Sequence, residues 1–112
     1  MRVLEELLRD TVEKFNRKAA EDQNLSKELA GIRKLIQVET TDGDTYHFTL
    51  ENSRIGAVEK GSAENPDIRV IADTETYTRL ATGELRAMKA YATRKLQVKG
   101  SIEDLLRLRK LF

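Results

Sequence analysis

Apolar residues recur every three or four positions along the N-terminal segment from Val3 to Ala20. This spacing predicts one amphipathic helix that packs its apolar stripe on the rest of the protein and exposes its charged face. The stripe consists of Val3, Leu4, Leu7, Leu8, Val12, Phe15 and Ala19. A second, short helix is predicted over residues 25–30, with Asn24 as its cap and Gly31 as its terminator.

The pattern then changes to alternation, which predicts β-strands. The predicted strands cover residues 34–40, 45–51, 54–60 and 67–72. Asp42-Gly43 between the first two is a strong hairpin signal, because both residues tolerate a positive φ. In the second strand the apolar Tyr46, Phe48 and Leu50 alternate with polar residues, so one face of the sheet is predicted to be core and the other solvated. Four strands in succession predict a meander.

The C-terminal part returns to helical spacing, interrupted by one more strand. Asp73 or Thr74 is predicted to cap a helix that runs to Gly83, and a second helical segment covers residues 86–93. Residues 95–99 predict the last strand, and a closing helix follows Ser101. The sum is an α+β fold, a mostly antiparallel five-stranded sheet with helices packed on one face as a two-layer sandwich.

Length and composition narrow the class of protein. A chain of 112 residues is expected to form a single domain, residues 1–112. It contains no cysteine, which excludes a disulfide framework, a thiolate nucleophile and a cysteine metal site. The N-terminal segment has no uninterrupted apolar region, and no stretch is long and apolar enough to span a bilayer. A cytoplasmic protein is expected.

Charge and candidate chemistry point away from catalysis. The 20 basic and 19 acidic residues give a net charge of +1, which offers neither nucleic acid nor anionic lipid a long-range attractive field. His47 is the single histidine, and strand parity predicts that its ring points into solvent. Asp42 and Asp44 are interpreted as turn residues because they lack the spacing of a calcium loop. No metal, cofactor or enzymatic activity is therefore expected.

One local excess of positive charge stands out. Basic residues cluster between Arg86 and Lys99, and Tyr91 is the single aromatic residue among them. A solvated surface is the favoured interpretation, because nucleic-acid binding usually needs several stacking aromatic residues. The alternative is an anionic lipid headgroup that uses these charges.

The C-terminal third resembles the sterol carrier protein type-two lipid-binding domain. The residues that carry the resemblance are Ala-Asp-Thr-Glu-Thr-Tyr at 72–77, Thr-Gly-Glu-Leu at 82–85, Met-Lys-Ala-Tyr at 88–91 and Lys-Leu-Gln-Val-Lys-Gly at 95–100. They follow the family's order of strand, short helix, bend, second helix, strand and closing helix. Two positions depart from the family: Arg94 stands where glycine is common, and Tyr46 where tryptophan is frequent.

The resemblance implies a hydrophobic tunnel between the sheet and the helices, with a C-terminal segment as its lid. The tunnel would take an apolar lipid-like molecule such as an acyl chain, a sterol or an isoprenoid. Periodicity places the candidate ligand-binding residues on inward faces, where a closed core is the alternative interpretation. They are Phe15, Val38, Phe48, Leu50, Ile55, Leu80, Leu85, Met88, Tyr91, Leu105, Leu108 and Phe112.

The sequence thus leaves two functions open, with an enzyme the least favoured class. The first is non-enzymatic binding and intracellular transfer of an apolar lipid by a monomer or weak dimer, with transient membrane or enzyme contact. The second is an interaction or dimerisation module that presents a lipid or isoprenoid substrate to a partner enzyme. Neither function involves nucleic acid.

Overall fold

The computed structural model describes residues 3–101 and residue 103. The predicted N-terminal helix is α1 (Val3–Glu21), and α2 (Gln23–Leu29) follows it directly. The cap of α2 is Asp22 and not Asn24, because the Asp22 carboxylate accepts hydrogen bonds from the backbone N–H groups of Asn24 and Leu25 at 3.0 and 3.2 Å. This carboxylate satisfies two donors that the first helical turn would otherwise leave unpaired.

Within the described residues the sheet contains six strands. They are β1 (Arg33–Thr40), β2 (Thr45–Glu51), β3 (Arg54–Ile55), β4 (Glu59–Lys60), β5 (Ile68–Ala72) and β6 (Gln97–Lys99). The strand predicted over residues 54–60 is split into β3 and β4, which both pair with β2. The α+β class and the mostly antiparallel sheet are confirmed, because every strand pair except β1 with β5 is antiparallel.

The predicted meander is wrong, because β5 does not continue the succession of neighbours. The strand order is β3-β2-β1-β5-β6, and β5 lies parallel to β1 on the side away from β2. The segment of residues 61–67 must therefore cross the sheet between β4 and β5. Alternation fixes which face a residue occupies, but it does not fix the order of the strands.

The crossing segment covers part of the sheet face that was predicted to be solvated, which we call the outer face. The backbone N–H of Ala63 donates to the Gln37 side chain at 2.8 Å, and Gln37 is buried. His47 lies on this face, but its ring is half-buried instead of pointing into solvent. Its Nδ1 lies 2.9 Å from the carbonyl oxygen of Gly61, and its Nε2 lies 3.2 Å from a Glu59 carboxylate oxygen.

A charged pair completes the outer face beside Gln37. The Arg69 guanidinium donates to both carboxylate oxygens of Glu39, at 2.5 and 2.9 Å, and the Gln37 amide donates to the same carboxylate at 3.0 Å. The hydrogen bond from Arg69 is the main reason that the pKa of Glu39 lies below its ordinary value. This face is therefore closed by polar contacts.

The C-terminal part contains α3 (Thr74–Thr82), α4 (Ala87–Ala92) and β6. The predicted cap Asp73 is confirmed, with its carboxylate 2.8 Å from the backbone N–H of Thr76. After α4 the chain turns through Arg94, which adopts a left-handed φ of 63°. The backbone N–H of Lys95 still bonds to the carbonyl of Ala90 at 2.9 Å, so β6 begins at Gln97 and not at Lys95. The predicted closing helix lies outside the described residues.

Candidate functional site

The inner face of the sheet, opposite the outer face, carries a continuous apolar cluster. The register aligns Ile36 with Phe48 and Val38 with Tyr46, so apolar side chains of β1 and β2 lie side by side. Leu4 of α1 and Leu29 of α2 belong to the same cluster. The further members are Leu50, Val58 and Ile68, with partly buried Leu8, Val12, Phe15 and Ile55 packed against them.

A second, smaller cluster lies at the other end of the inner face. It contains Ala72, Leu85, Ala90 and Leu96, with Leu80 partly buried against it. Three partly buried side chains pack on both clusters: Val70, Tyr77 and Val98. The two clusters therefore form one apolar layer, bounded by the sheet on one side and by the helices on the other.

Tyr77 of α3 stands at the junction of the two clusters. Its hydroxyl lies 2.9 Å from the carbonyl oxygen of Glu39 on β1 and 3.0 Å from that of Val70 on β5. Burial of the phenol raises its pKa well above the ordinary value, so the side chain stays neutral. The ring is thus part of the apolar layer while its polar end is satisfied by the backbone.

Polar side chains of two residues hold α1 against the segment that runs from β3 to β4. Asn16 makes a reciprocal pair of hydrogen bonds with the backbone of Ile55: its amide donates to the carbonyl at 2.8 Å, and its oxygen accepts from the N–H at 2.7 Å. Arg9 donates to the carbonyl of Val58 at 3.4 Å. These contacts fix the side of the apolar layer where Phe15 and Ile55 are partly exposed.

The structure brings most of the described candidate residues to the inner layer. Val38, Phe48, Leu50 and Leu85 are buried, and Phe15, Ile55 and Leu80 are partly buried. For Met88 and Tyr91 the predicted inward orientation is wrong, because these side chains are 54% and 49% exposed. The remaining candidates, Leu105, Leu108 and Phe112, lie outside the described residues.

Sequence reasoning missed the residues that join and anchor the layer. Val70 and Val98 face the helices only because β5 pairs with both β1 and β6. Tyr77 was placed on a helix, but nothing in the pattern indicated that its hydroxyl reaches between two strands. Asn16 offered one available signal, since a polar residue beside Phe15 on an apolar helix face often has a backbone partner.

Two surface clefts lie outside the apolar layer. One of about 560 Å³ is lined by charged and polar residues around the turn between α1 and α2, including Lys14 and Asp22. The other, of about 330 Å³, lies at the end of β5 and is lined by residues that include Asp73, Arg79 and Lys95. Neither cleft is lined by a predicted ligand-binding residue.

Comparison with known families decides the relationship. The model of the SCP-2 sterol transfer family matches residues 12–112. The chain belongs to this family. The resemblance seen in the C-terminal third is thereby confirmed and extends over nearly the whole sequence. Lipid binding and transfer is the general function of SCP2 domains, which are carriers. No curated protein matches the chain.

Solved structures share the fold at low identity. The palmitated sterol carrier protein 2 like 2 of Aedes aegypti is 16% identical with a TM-score of 0.61, and the match covers 89% of this chain and 88% of that one. The ubiquinone synthesis protein UbiJ-SCP2 is 17% identical with a TM-score of 0.61, over 91% of this chain and 82% of that one. At such identities the likeness shows a common fold.

A third structure places this fold inside a larger enzyme. The sec-alkylsulfatase Pisa1 from Pseudomonas sp. is 17% identical over 77% of this chain, with a TM-score of 0.60. The SCP2 chain spans only 13% of the length of that sulfatase. In the described part of the SCP2 chain, no group of three or more acidic or histidine side chains could hold a metal ion. None of the described helices combines the length and the apolarity that crossing a membrane requires.

Proposed function

We propose that this protein binds an apolar lipid with an acyl, sterol or isoprenoid chain in a hydrophobic tunnel between the inner face and the helices, and transfers it without catalysis. The observation that supports this most directly is the continuous apolar layer, in which Tyr77 joins two clusters along the length of the sheet. Membership of a sterol transfer family supports the interpretation of that layer as the lipid-binding region.

The outer face is unsuitable for an apolar lipid, and this supports the inner layer as the binding site. A lipid placed there would remove the Glu39–Arg69 pair and the buried Gln37 amide from their partners. Burying such groups without hydrogen bonds costs several kcal/mol, at about 1 to 3 kcal/mol per group. At the centre of the inner layer this cost does not arise, because the Tyr77 hydroxyl is already bonded to the backbone.

The packing of the inner layer is compatible with opening. No large side chain in the described residues is completely sealed: Tyr46 and Ile68, among the most buried, remain 3% exposed. The partly buried Phe15 and Ile55 mark the side where α1 meets the edge of the sheet. We propose that a lipid enters at this side, where α1 separates slightly from the sheet. The candidate residues of both clusters would then contact the lipid.

The expected affinity is moderate. A ligand that buries about ten methylene groups gains about 8 kcal/mol, at roughly 0.8 kcal/mol each. Ordering of the ligand and displacement of packed side chains reduce this gain, so micromolar binding is the expected upper limit. Such an affinity permits both uptake and release, as transfer requires.

The test combines identification of the natural ligand with a blocked variant. Native mass spectrometry of freshly purified protein, followed by organic extraction, should reveal a stoichiometric lipid. Palmitate is the first probe for the stripped protein, and saturation at about a hundred times Kd should stabilise it by about 2.7 kcal/mol in a thermal melt. Leu80→Trp, which fills part of the second cluster, should abolish this stabilisation, whereas Ala81→Trp on the exposed side of α3 should retain it.

Two results would contradict the carrier proposal. One is a protein that carries no lipid and shows no thermal shift with acyl, sterol or isoprenoid compounds. The other is an equal ligand response from Leu80→Trp and Ala81→Trp, which would place the ligand elsewhere. The protein is expected to act as a single domain in the cytoplasm and to be a monomer or weak dimer in light scattering.

The second candidate function is presentation of a lipid or isoprenoid substrate to a partner enzyme. It is favoured by two of the structural relatives, one described as a ubiquinone synthesis protein and the other an alkylsulfatase of which the fold is a small part. Under this alternative the protein would form a concentration-independent dimer or a stable complex with an enzyme. Light scattering of the purified protein across concentrations separates this from a free monomeric carrier.

A further inference from the structure

The outward side of α4 combines exposed apolar and basic side chains. Met88 and Tyr91 are the large apolar side chains that the described residues leave exposed. Ala90 of the same helix is completely buried, which fixes the rotation of α4 about its axis. Because successive residues turn by about 100°, Met88 and Tyr91 must lie on the sides of the helix away from the core.

Positive charge surrounds these two side chains. Residues 83–95 contain four basic residues and one acidic residue, a net charge of +3 in a chain whose total is +1. The acidic residue, Glu84, is already paired with Arg79 at 3.5 Å. Arg86 and Lys89 are exposed, and the Arg86 side chain makes no capping hydrogen bond at the start of α4. Lys95 by contrast faces Asp73 in the cleft beside α3.

A further basic residue, Arg94, follows shortly after α4. Arg94 ends this segment in a left-handed conformation with a φ of 63°, which glycine adopts at lower cost. The chain therefore holds an exposed arginine beside α4 in a backbone conformation that does not suit it.

We infer that the α4 surface, defined by Arg86, Met88, Lys89 and Tyr91, docks on an anionic lipid bilayer. The basic side chains contact negatively charged headgroups, while Met88 and the amphipathic Tyr91 enter the interface. This inference rests on the proposed function, since it names the surface through which a lipid carrier would meet its donor or acceptor membrane. Charge complementarity selects an anionic bilayer, because a neutral one would not engage Arg86 and Lys89.

The experiment is vesicle sedimentation with the full chain. Wild-type protein should bind vesicles of phosphatidylcholine mixed with phosphatidylglycerol, should bind phosphatidylcholine vesicles much less, and should dissociate as salt increases. Each basic residue near an anionic surface contributes about a five-fold gain in partitioning, so Arg86→Gln with Lys89→Gln should weaken binding about 25-fold. Met88→Ser with Tyr91→Ser should weaken binding while leaving the charge unchanged.

The matched control removes the same charge from α1. Lys14 and Lys18 are exposed and four residues apart, so Lys14→Gln with Lys18→Gln lowers the net charge by the same amount without touching α4. This control should bind anionic vesicles within about two-fold of wild type, apart from the small effect of net charge. Wild-type binding by the α4 charge variant, or an equal loss in the control, would overturn the inference. Tighter binding to single-stranded RNA than to anionic vesicles would also overturn it.

Failure of docking can be told apart from failure of lipid binding. Lipid load, measured by native mass spectrometry, should be unchanged in Arg86→Gln with Lys89→Gln, while transfer of a fluorescent acyl lipid to anionic vesicles should slow. If Arg86→Gln with Lys89→Gln carries lipid and transfers it as fast as wild type, the docking inference is contradicted and the carrier proposal is not. Binding of the wild-type protein to anionic vesicles, together with no co-purified lipid and no thermal shift with acyl, sterol or isoprenoid compounds, would support docking and contradict the carrier proposal.

Discussion

Replacement of Asn16 by alanine tests how α1 is held on the sheet. The Asn16 side chain forms two hydrogen bonds of 2.8 and 2.7 Å with the backbone of Ile55, and both are partly buried. Asn16→Ala removes both hydrogen bonds at once and takes away the Asn16 partner of the Ile55 carbonyl and N–H. The edge strand β3 then loses its main polar tie to α1.

The magnitude follows from opposing effects. Each hydrogen bond contributes a net of about 1 kcal/mol, so the pair contributes about 2 kcal/mol. Alanine is the better helix former by about 0.6 kcal/mol in a helix interior, which offsets part of this loss. Water can reach the freed groups of Ile55 at the edge of the sheet, and this limits the penalty. We therefore expect a loss of about 1 to 2 kcal/mol in the free energy of unfolding.

Urea unfolding followed by circular dichroism measures this loss as a lower midpoint with an unchanged m-value. Lys14→Ala on the exposed face of α1 is the matched control, since it alters the helix without removing a described partner. Asn16→Asp keeps the acceptor for the Ile55 N–H and should fall between alanine and wild type. If Asn16→Ala is as stable as Lys14→Ala, the two bonds do not hold α1 on the sheet.

Three further predictions concern stability. Arg94→Gly relieves the left-handed backbone and should raise stability by up to about 1 kcal/mol, seen as a higher Tm. The hydrogen bonds from Thr76 hold the pKa of Asp73 below its ordinary value. The capping stabilisation is therefore complete above the pKa of the unfolded state and is lost as pH falls through the pKa of the folded state. Asp73→Asn should reduce the decrease of Tm with falling pH in this range, measured in pH-dependent melts. Tyr77→Phe removes the single O–H donor that lies 2.9 and 3.0 Å from two strand carbonyls, and it should cost about 1 to 2 kcal/mol in urea unfolding; an unchanged midpoint would contradict that role.

The parts of the fold that local chemistry controls were predictable from sequence. Alternation in residues 45–51 indicated the face of each side chain. The hairpin between β1 and β2 forms at Asp42-Gly43 as predicted, but neither residue adopts the positive φ on which that prediction rested. The position of β5 was not predictable in this way. Its pairing with β1 depends on contacts between residues far apart in the chain, such as Val38 with Val70, and no local pattern encodes them.

The third predicted strand, residues 54–60, forms as two short strands for a local reason. Asn52 and Ser53 both adopt a positive φ, which makes a tight turn directly after β2. The chain then pairs only through Arg54–Ile55 before it leaves the sheet and returns at Glu59–Lys60. β-propensity in residues 54–60 therefore indicated an extended segment correctly but overestimated how much of it pairs.

The inward orientation of the candidate residues was predictable where burial is large and was not predictable where burial is small. Phe48 and Leu50 lie on a strand whose parity leaves one choice of face, and both are buried as expected. The short helix α4 has no apolar stripe long enough to fix its rotation. Ala90, a residue with a weak hydrophobic signal, occupies the buried side, and this turns Met88 and Tyr91 outward.

The direction in which a lipid leaves the protein follows from where these features lie. The second cluster, with Leu85 and Leu96, is the end of the apolar layer that adjoins α4. If α4 rests on an anionic bilayer, a lipid that moves past Tyr77 toward this cluster approaches the membrane without crossing the polar outer face. Transfer by contact should then show a rate that rises with the concentration of acceptor vesicles. A rate independent of acceptor concentration would mean that the lipid is released through water, most directly at the side where Asn16 holds α1.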